Sequence, residues 1–370
     1  MKISRISVYK KDLPLKDPYW LSGGRLKFEV LDATFVKLET DVGVSGWGEG
    51  TPWGHTYVPA HGPGIRAGIE TLVPALLGQD PRLLELIERA MDVQLPGHLY
   101  AKQPIDMACW DILGQVCDLP IADLLGGKRD NGTPVASSVS SGEPDYMLAI
   151  IDDYRKRGYV AHSAKVGGSD TAKDIERIRY LEKHRQSGEI ILYDVNRAWT
   201  RCEASIVMNA VSSLGVTFEQ PGETLDDIAE IRKLTTSPIS VDESLVTLQD
   251  ATRIAREGIA DVFGIKLNRV GGLTKARRLR DVAMAHGIQI FVMATGGTVM
   301  ADTEAAHLAQ SIPSEFMRAC WSCQDMLTVD IAPGSGPRCK AGHITIDDTP
   351  GLGVTPDEGL LGDPVAVYTV

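Results

Sequence analysis

The sequence predicts an α/β protein: a modified TIM barrel of the (β/α)7β type behind an N-terminal α+β capping domain. Three observations predict it. The chain has 370 residues, beyond the size at which a single core keeps growing, so two structural units are expected. Its opening third reads as strands followed by helices. From about Thr133 onward, short apolar runs alternate with helical stretches on a period of roughly 25 residues, the rhythm of parallel strands with crossover helices.

Lys2 to Tyr9 alternates apolar and polar residues and reads as a half-buried strand. Phe28–Glu39 and Gly43–Gly50 read as two more strands, turning at Asp41-Val42-Gly43, with a loop at Pro18–Gly24 between the first and second. A further loop, Thr51–Tyr57, carries Trp53, His55 and Tyr57. From about Gly64 to Cys117 apolar residues recur three and four apart, which predicts helices. The barrel strands are expected at Pro134–Ser140, Tyr159–Val166, Ile190–Asn196, Val216–Gln220, Ile239–Asp242, Val262–Leu267 and Ile288–Met293, with a weaker eighth near Met317–Cys323. The capping domain is expected to span residues 1–125 and the barrel 126–328. Residues 329–370, rich in Gly and Pro near their start, are expected to pack back on the cap. A doubly wound sheet would need a glycine-rich phosphate loop after an early strand, and Gly126-Gly127-Lys128 and Gly334-Ser335-Gly336 fit neither such pattern.

Composition excludes several function classes. A net charge of −11 without a basic block argues against nucleic acid as a partner. No apolar run of about 18 residues occurs, so no membrane partner is expected and the protein reads as cytoplasmic. Six cysteines in a chain of this length make no disulfide framework; Cys320 and Cys323 form a C-x-x-C pair with no second pair to complete a zinc site, and read as ordinary thiols.

The chemistry is written at the carboxyl ends of the expected strands, which in a barrel face the active site. Strand two ends in Ser163-Ala164-Lys165, strand three in Asp194-Val195-Asn196 and strand four in Glu219-Gln220-Pro221. Strand five ends in Asp242-Glu243-Ser244 and strand six in Lys266-Leu267-Asn268. Singly, each has an ordinary explanation: Asp194 could cap a helix, and a lone lysine is usually solvated. Three acids on consecutive strands, bracketed by two lysines, point instead to a metal site, because three carboxylates at one rim repel unless a cation sits among them. Oxygen ligands without His or Cys select a hard ion, and Mg2+ fits because it leaves positions for substrate. A substrate carboxylate there gains negative charge as its neighbouring carbon loses a proton, which the metal stabilises. Lys165 and Lys266 are the expected catalytic lysines, either of which can serve as the base, with pKa values lowered toward neutrality by the adjacent cation. Strands two and six lie across a barrel from each other, which suits either epimerisation or anti elimination.

At these residues the chain resembles the enolase superfamily in its muconate-lactonizing subgroup. The resemblance rests on Ile105-Asp106-Met107-Ala108-Cys109-Trp110-Asp111, Leu124-Leu125-Gly126-Gly127, Asp194-x-Asn196, Glu219-Gln220-Pro221, Asp242-Glu243 and Lys266-x-Asn268-x-x-Gly271-Gly272. It implies a lid whose loops around Trp20 and His55 close over the substrate. The subgroup's Lys-x-Lys reads Ser163-x-Lys165 here, which removes a positive charge beside Lys165. More narrowly, Tyr19–Gly24, Thr51–Pro59, His162-Ser163-x-Lys165 and Met293–Gly297 resemble the group that dehydrates cis-3-hydroxy-L-proline to 1-pyrroline-2-carboxylate. The resemblance implies a hydro-lyase acting on a small amino-acid-like carboxylate. Trp20, His55, Tyr57, Ser163, Asn196, Asn268 and Thr295 are the candidate substrate contacts. Alternatives are a racemase or 2-epimerase of proline betaine or hydroxyproline betaine using the same lysines and, from another class, a non-catalytic metabolite-binding barrel. A homo-oligomer is expected, as symmetric assembly is common among such enzymes.

Overall fold

A computed structural model describes residues 1–370 except 22, 23, 25, 130 and 169. Strands β1 (Ile3–Leu21), β2 (Leu26–Thr40) and β3 (Ser45–Gly50) form an antiparallel meander. Helices α1 (Gly62–Leu76), α2 (Leu84–Gln94), α3 (Leu99–Cys117) and the short α4 (Ile121–Leu124) follow. In β3 the alternation Gly46, Gly48, Gly50 leaves one face without side chains, and the backbone of α3 packs onto it. A Cβ on Gly48 would stand 1.8 Å from the Pro104 carbonyl oxygen, so only glycine admits this approach.

The loop expected at Pro18–Gly24 is instead mostly strand, with Ser22 and Gly23 outside the described residues. β1 runs on to Leu21 and pairs with β2 through Tyr19↔Phe28 and Leu21↔Leu26, after a register shift between Pro14 and Tyr19. The cause is side-chain alternation: Tyr19 and Leu21 are buried on one face, while Trp20 points to solvent at 44% exposure.

The second unit is a closed parallel barrel of eight strands: β4 (Thr133–Val139), β5 (Ala161–Lys165), β6 (Ile190–Asp194), β7 (Thr217–Glu219), β8 (Ile239–Val241), β9 (Val262–Lys266), β10 (Gln289–Met293) and β11 (Met317–Trp321). Neighbours pair in chain order, and β11 returns to β4 through Cys320↔Val135 and Trp321↔Ala136. The helices between them are α5 (Pro144–Lys156), α6 (Thr171–Lys183), α7 (Arg201–Ala210), α8 (Leu225–Arg232), α9 (Leu248–Glu257), α10 (Leu267–Val270), α11 (Leu273–Ala285) and α12 (Val299–Gln310). Three of them, α7, α8 and α9, begin with a capping box on Thr200, Thr224 and Thr247, which satisfies orphan N–H groups at the helix start. Beyond the barrel, β12 (His343–Ile344) pairs with β4 and β13 (Ala366–Thr369) with β1.

The two units meet along α3. Asp106 accepts from the backbone N–H and the hydroxyl of Thr274, and the Trp110 indole donates to that same hydroxyl at 2.9 Å. Glu49, at the end of β3, accepts from the N–H of Thr298 (2.9 Å) and its hydroxyl (2.6 Å), both at the start of α12. The six cysteines are unbonded thiols, with Cys320 and Cys323 buried. Among the described residues no helix is long and apolar enough to cross a membrane.

Candidate active site

Register brings the rim residues to one level. Lys165 pairs with Asp194, and Asp194 with Glu219, across β5, β6 and β7. Asp242 follows β8 directly and Lys266 ends β9. β5 and β9 stand four strands apart in the ring of eight, so the two lysines face each other across it. They line one cavity with Ser163, Asp194, Glu219 and Thr295 from the barrel and Tyr19, Leu21, Trp53 and Tyr57 from the cap.

Each lysine holds one carboxylate. The Lys165 ammonium donates to Asp194 Oδ2, while the Asn196 N–H fixes Asp194 Oδ1 at 2.9 Å. Lys266 donates to Asp242 Oδ2 at 2.6 Å and to the Tyr57 hydroxyl at 2.9 Å. Arg269, buried behind them, donates to Asp242 Oδ1 and to the carbonyls of Leu245 (3.0 Å) and Gly264 (2.7 Å). Burial opposes the charge of Asp242, yet Arg269 and Lys266 together hold its carboxyl well below the usual range. Glu219 is different. It is 1% exposed, its Oε1 has no hydrogen-bond partner, and burial with the nearby Asp194 and Asp242 raises its pKa well above normal. Among the described residues no three acidic, His or Cys side chains close around a single point, because Asp194 and Asp242 lean toward the lysines on either side.

The sequence placed both lysine pKa values toward neutrality. That expectation belongs to the site with a cation among the acids; with the carboxylates alone, burial works against the charge of Lys165, but Asp194, Tyr19 and Glu219 together outweigh it and hold the ammonium above the ordinary lysine range. The nearest charge to this lysine is an anion.

Of the seven residues read as substrate contacts, Tyr57, Ser163 and Thr295 line the cavity. Asn196 and Asn268 stand behind it: Asn196 donates to Glu243 (3.3 Å), while Asn268 accepts from the Thr295 hydroxyl and donates to the Thr51 carbonyl (3.2 Å). Trp20 and His55 are exposed and outside the lining, Trp20 through the strand alternation and His55 on the outer side of its loop. Sequence reading missed Tyr19, Leu21, Trp321 and Arg269. Tyr19, Phe28 and Trp321 pack around Trp53 with ring centroids 5.2, 5.6 and 6.2 Å away. Trp321 ends the eighth strand, so the strand-end rule that found the acids also covers it; its indole donates to Ser138 at 2.7 Å.

A closed eight-stranded parallel barrel with acids and lysines at its carboxyl rim, covered by an α+β cap, defines an enzyme of the barrel class. Comparison with known proteins is consistent along the chain. Residues 6–126 match the family model for the mandelate racemase / muconate lactonizing enzyme N-terminal domain, and residues 147–360 match the enolase C-terminal domain-like model. A cis-3-hydroxy-L-proline dehydratase of Roseibium aggregatum is 40% identical over 100% of both chains. A solved structure from Silicibacter pomeroyi, described as a mandelate racemase/muconate lactonizing enzyme, is 65% identical with a TM-score of 0.96 over 100% of both chains. An enolase superfamily member from Roseovarius nubinhibens ISM, solved in complex with magnesium, is 49% identical with a TM-score of 0.96, again over 100% of both chains. The chain belongs to the enolase superfamily.

Proposed function

We propose that this enzyme is a magnesium-dependent hydro-lyase that dehydrates cis-3-hydroxy-L-proline to 1-pyrroline-2-carboxylate. The observation that carries the reading is the pair of buried lysines on opposite walls of one cavity. In the cis isomer the hydroxyl and carboxylate share a ring face, so the α-proton and the departing hydroxyl lie on opposite faces. One lysine takes the α-proton as the C3–O bond breaks, and the other gives its proton to the hydroxyl, which leaves as water. The enamine that remains tautomerises to the cyclic imine acid. Identity to the Roseibium dehydratase over the whole chain supports the substrate assignment.

Asp194, Glu219 and Asp242 fit a hard divalent cation. All three offer carboxylate oxygens, and the unpartnered Oε1 of Glu219 is a buried acceptor that a cation would satisfy. When bound, magnesium stabilises the negative charge that builds on the substrate carboxylate. The protein supplies the rest. Arg269 and Asn196 fix the orientation of Asp242 and Asp194, and the Tyr57 hydroxyl holds Lys266. Tyr19, Trp53 and Trp321 keep water from the reacting centre. Ser163 presents a neutral hydroxyl to the cavity.

Proton NMR of the enzyme with magnesium and cis-3-hydroxy-L-proline in deuterium oxide tests the reading. Loss of substrate with growth of the imine acid is the expected result, stopped by chelator. An inert hydroxyproline, with α-deuterium entering a proline betaine instead, would move the assignment to a racemase or epimerase on the same lysines.

A further inference from the structure

The two lysines face each other, but the walls that carry them differ. Side chains two apart on a strand share a face. Ser163 therefore stands one layer deeper than Lys165 on β5, and Gly264 holds the matching place beneath Lys266 on β9. Gly264 leaves no room for a side chain: a Cβ there would stand 2.8 Å from the Met293 methyl group and 2.8 Å from the Val241 carbonyl oxygen. The cavity beneath Lys266 is accordingly apolar, walled by Phe291 and Met293 of the neighbouring strand.

The hydroxyls around the cavity divide the same way. On the Lys266 side they are committed. Tyr57 accepts from Lys266 at 2.9 Å and donates to Asp242 at 3.2 Å. Thr295 donates to Asn268, whose amide is oriented by its own donation to the Thr51 carbonyl. On the Lys165 side they are free. Ser163 and Tyr19 line the cavity, each 7% exposed, and among the described residues neither hydroxyl has a hydrogen-bond partner or is fully enclosed. Tyr19 reaches in from β1 and stands close enough to Lys165 to act on its charge.

An anti elimination asks different things of the two ring faces. The face that loses the α-proton needs a base and otherwise meets hydrocarbon. On the opposite face an oxygen leaves with the electron pair of the C3–O bond, and it needs both a proton and hydrogen-bond donors. We infer, on the reading that the reaction is this dehydration, that Lys266 is the base, Lys165 the acid and Ser163 the donor that holds the departing oxygen. Neutral Lys266 takes the α-proton, and the electron pair of that C–H bond becomes the C2–C3 double bond. The oxygen accepts a hydrogen bond from Ser163, takes a proton from the Lys165 ammonium and leaves as water. Tyr19 brings a second free hydroxyl to that side from the cap.

The test follows two signals by proton NMR in deuterium oxide with magnesium and cis-3-hydroxy-L-proline. Deuterium at the α-carbon of the remaining substrate reports the base, and imine acid reports the whole elimination. Lys165→Met should lower imine formation by about 10^3-fold yet still exchange the α-proton, with the cis-L configuration kept, because Lys266 returns deuterium to the same face. Lys266→Met should lose both signals. Exchange only in Lys266→Met, in both variants or in neither overturns the assignment of the lysines. Ser163→Ala should slow imine formation about 10- to 100-fold, the range for a hydrogen bond to a charged group, without slowing exchange. Ser163→Thr should restore it. Equal slowing of both signals in Ser163→Ala, or of neither, overturns the role of Ser163, and that variant decides alone should a lysine variant fail to fold. An unmodified enzyme that forms no imine acid would instead remove the dehydration itself, and this assignment with it.

Discussion

Glu49 and Glu219 are buried to the same degree, each 1% exposed, Glu219 as the last residue of β7 and Glu49 as the last but one of β3. Their surroundings are opposite. Glu49 accepts from the Thr298 and Ala301 N–H groups and from the hydroxyls of Thr298 and Thr51 at 2.7 Å, so it sits at the N-terminus of α12 as a completed anion site. A Cβ on Gly297 would stand 2.5 Å from its Oε1, so the loop after β10 is shaped around this carboxylate. Glu219 faces two other acids and has an oxygen with no partner. Burial alone therefore does not mark a functional carboxylate. The satisfied one joins the cap to the barrel, and the unsatisfied one lines the cavity with an acceptor left open.

The largest effect that would sharpen this comparison comes from the groups around Glu219. Lys165→Ala and Lys266→Ala should each lower turnover by about 10^3-fold, within the range for loss of a general acid or base, while the folded chain persists. Steady-state rates with circular dichroism check this, and near-normal turnover in either variant would remove that lysine from the mechanism.

The two glutamates should then part in opposite directions. Glu219→Gln should reduce activity by about 10^2- to 10^3-fold, as for loss of a main electrostatic element, with stability unchanged or improved because the amide removes the repulsion with Asp194 and Asp242. Glu49→Gln should lower stability by about 3 kcal/mol, since the amide cannot accept from all four donors, with a smaller effect on turnover. Urea unfolding and kinetics of both variants test the pair. A Glu219→Gln protein less stable than Glu49→Gln would break the comparison.

A third buried group on the cap–barrel seam gives a pH dependence. His307, on α12, accepts the Ala122 N–H at Nδ1 (3.0 Å) and donates from Nε2 to the Leu352 carbonyl (3.0 Å), so it is held neutral. Burial lowers its pKa to about 4. The unfolded chain, with a His pKa near ~6.5, therefore binds the extra proton first as pH falls. This contribution to stability is complete above about pH 6.5 and is lost as pH drops toward 4, on the order of 3 kcal/mol in all. In His307→Gln the difference from the parent should shrink between pH 7 and pH 5; a constant difference in urea midpoints would contradict it.

The smallest effects are expected at Trp20 and His55. Both are exposed and outside the cavity lining, so Trp20→Ala and His55→Ala should change kcat/KM by less than about two-fold. A loss of ten-fold or more in either would show that the cap moves them onto substrate.

The difference between these residues and the rim also explains what the sequence made legible. Asp194, Glu219, Asp242 and both lysines were visible because each follows a short apolar run and the barrel puts every such end on one face. Tyr19 was hidden by the prolines and glycines around it, which read as a loop while the chain continues as strand across a register shift. Arg269 lies on the one-turn helix α10, where nothing local separates a buried guanidinium from a solvated one. Glu49 meets Thr298 across 249 residues, and no local pattern encodes such a contact.

The cap sheet has an edge that arrives late. Strand β13 pairs with β1 through Val8↔Ala366 and Arg5↔Thr369. At ~5–20 residues per second of translation, the partner of Val8 emerges on the order of half a minute after it. For that interval one border of the meander is open, an invitation to pair with a neighbouring nascent chain. Nothing in the barrel strands depends on that pairing, so the catalytic rim can assemble while its cover is still missing a strand. The enzyme's maturation would then be timed by the cap, and crowded synthesis would tax the lid before it troubled the chemistry.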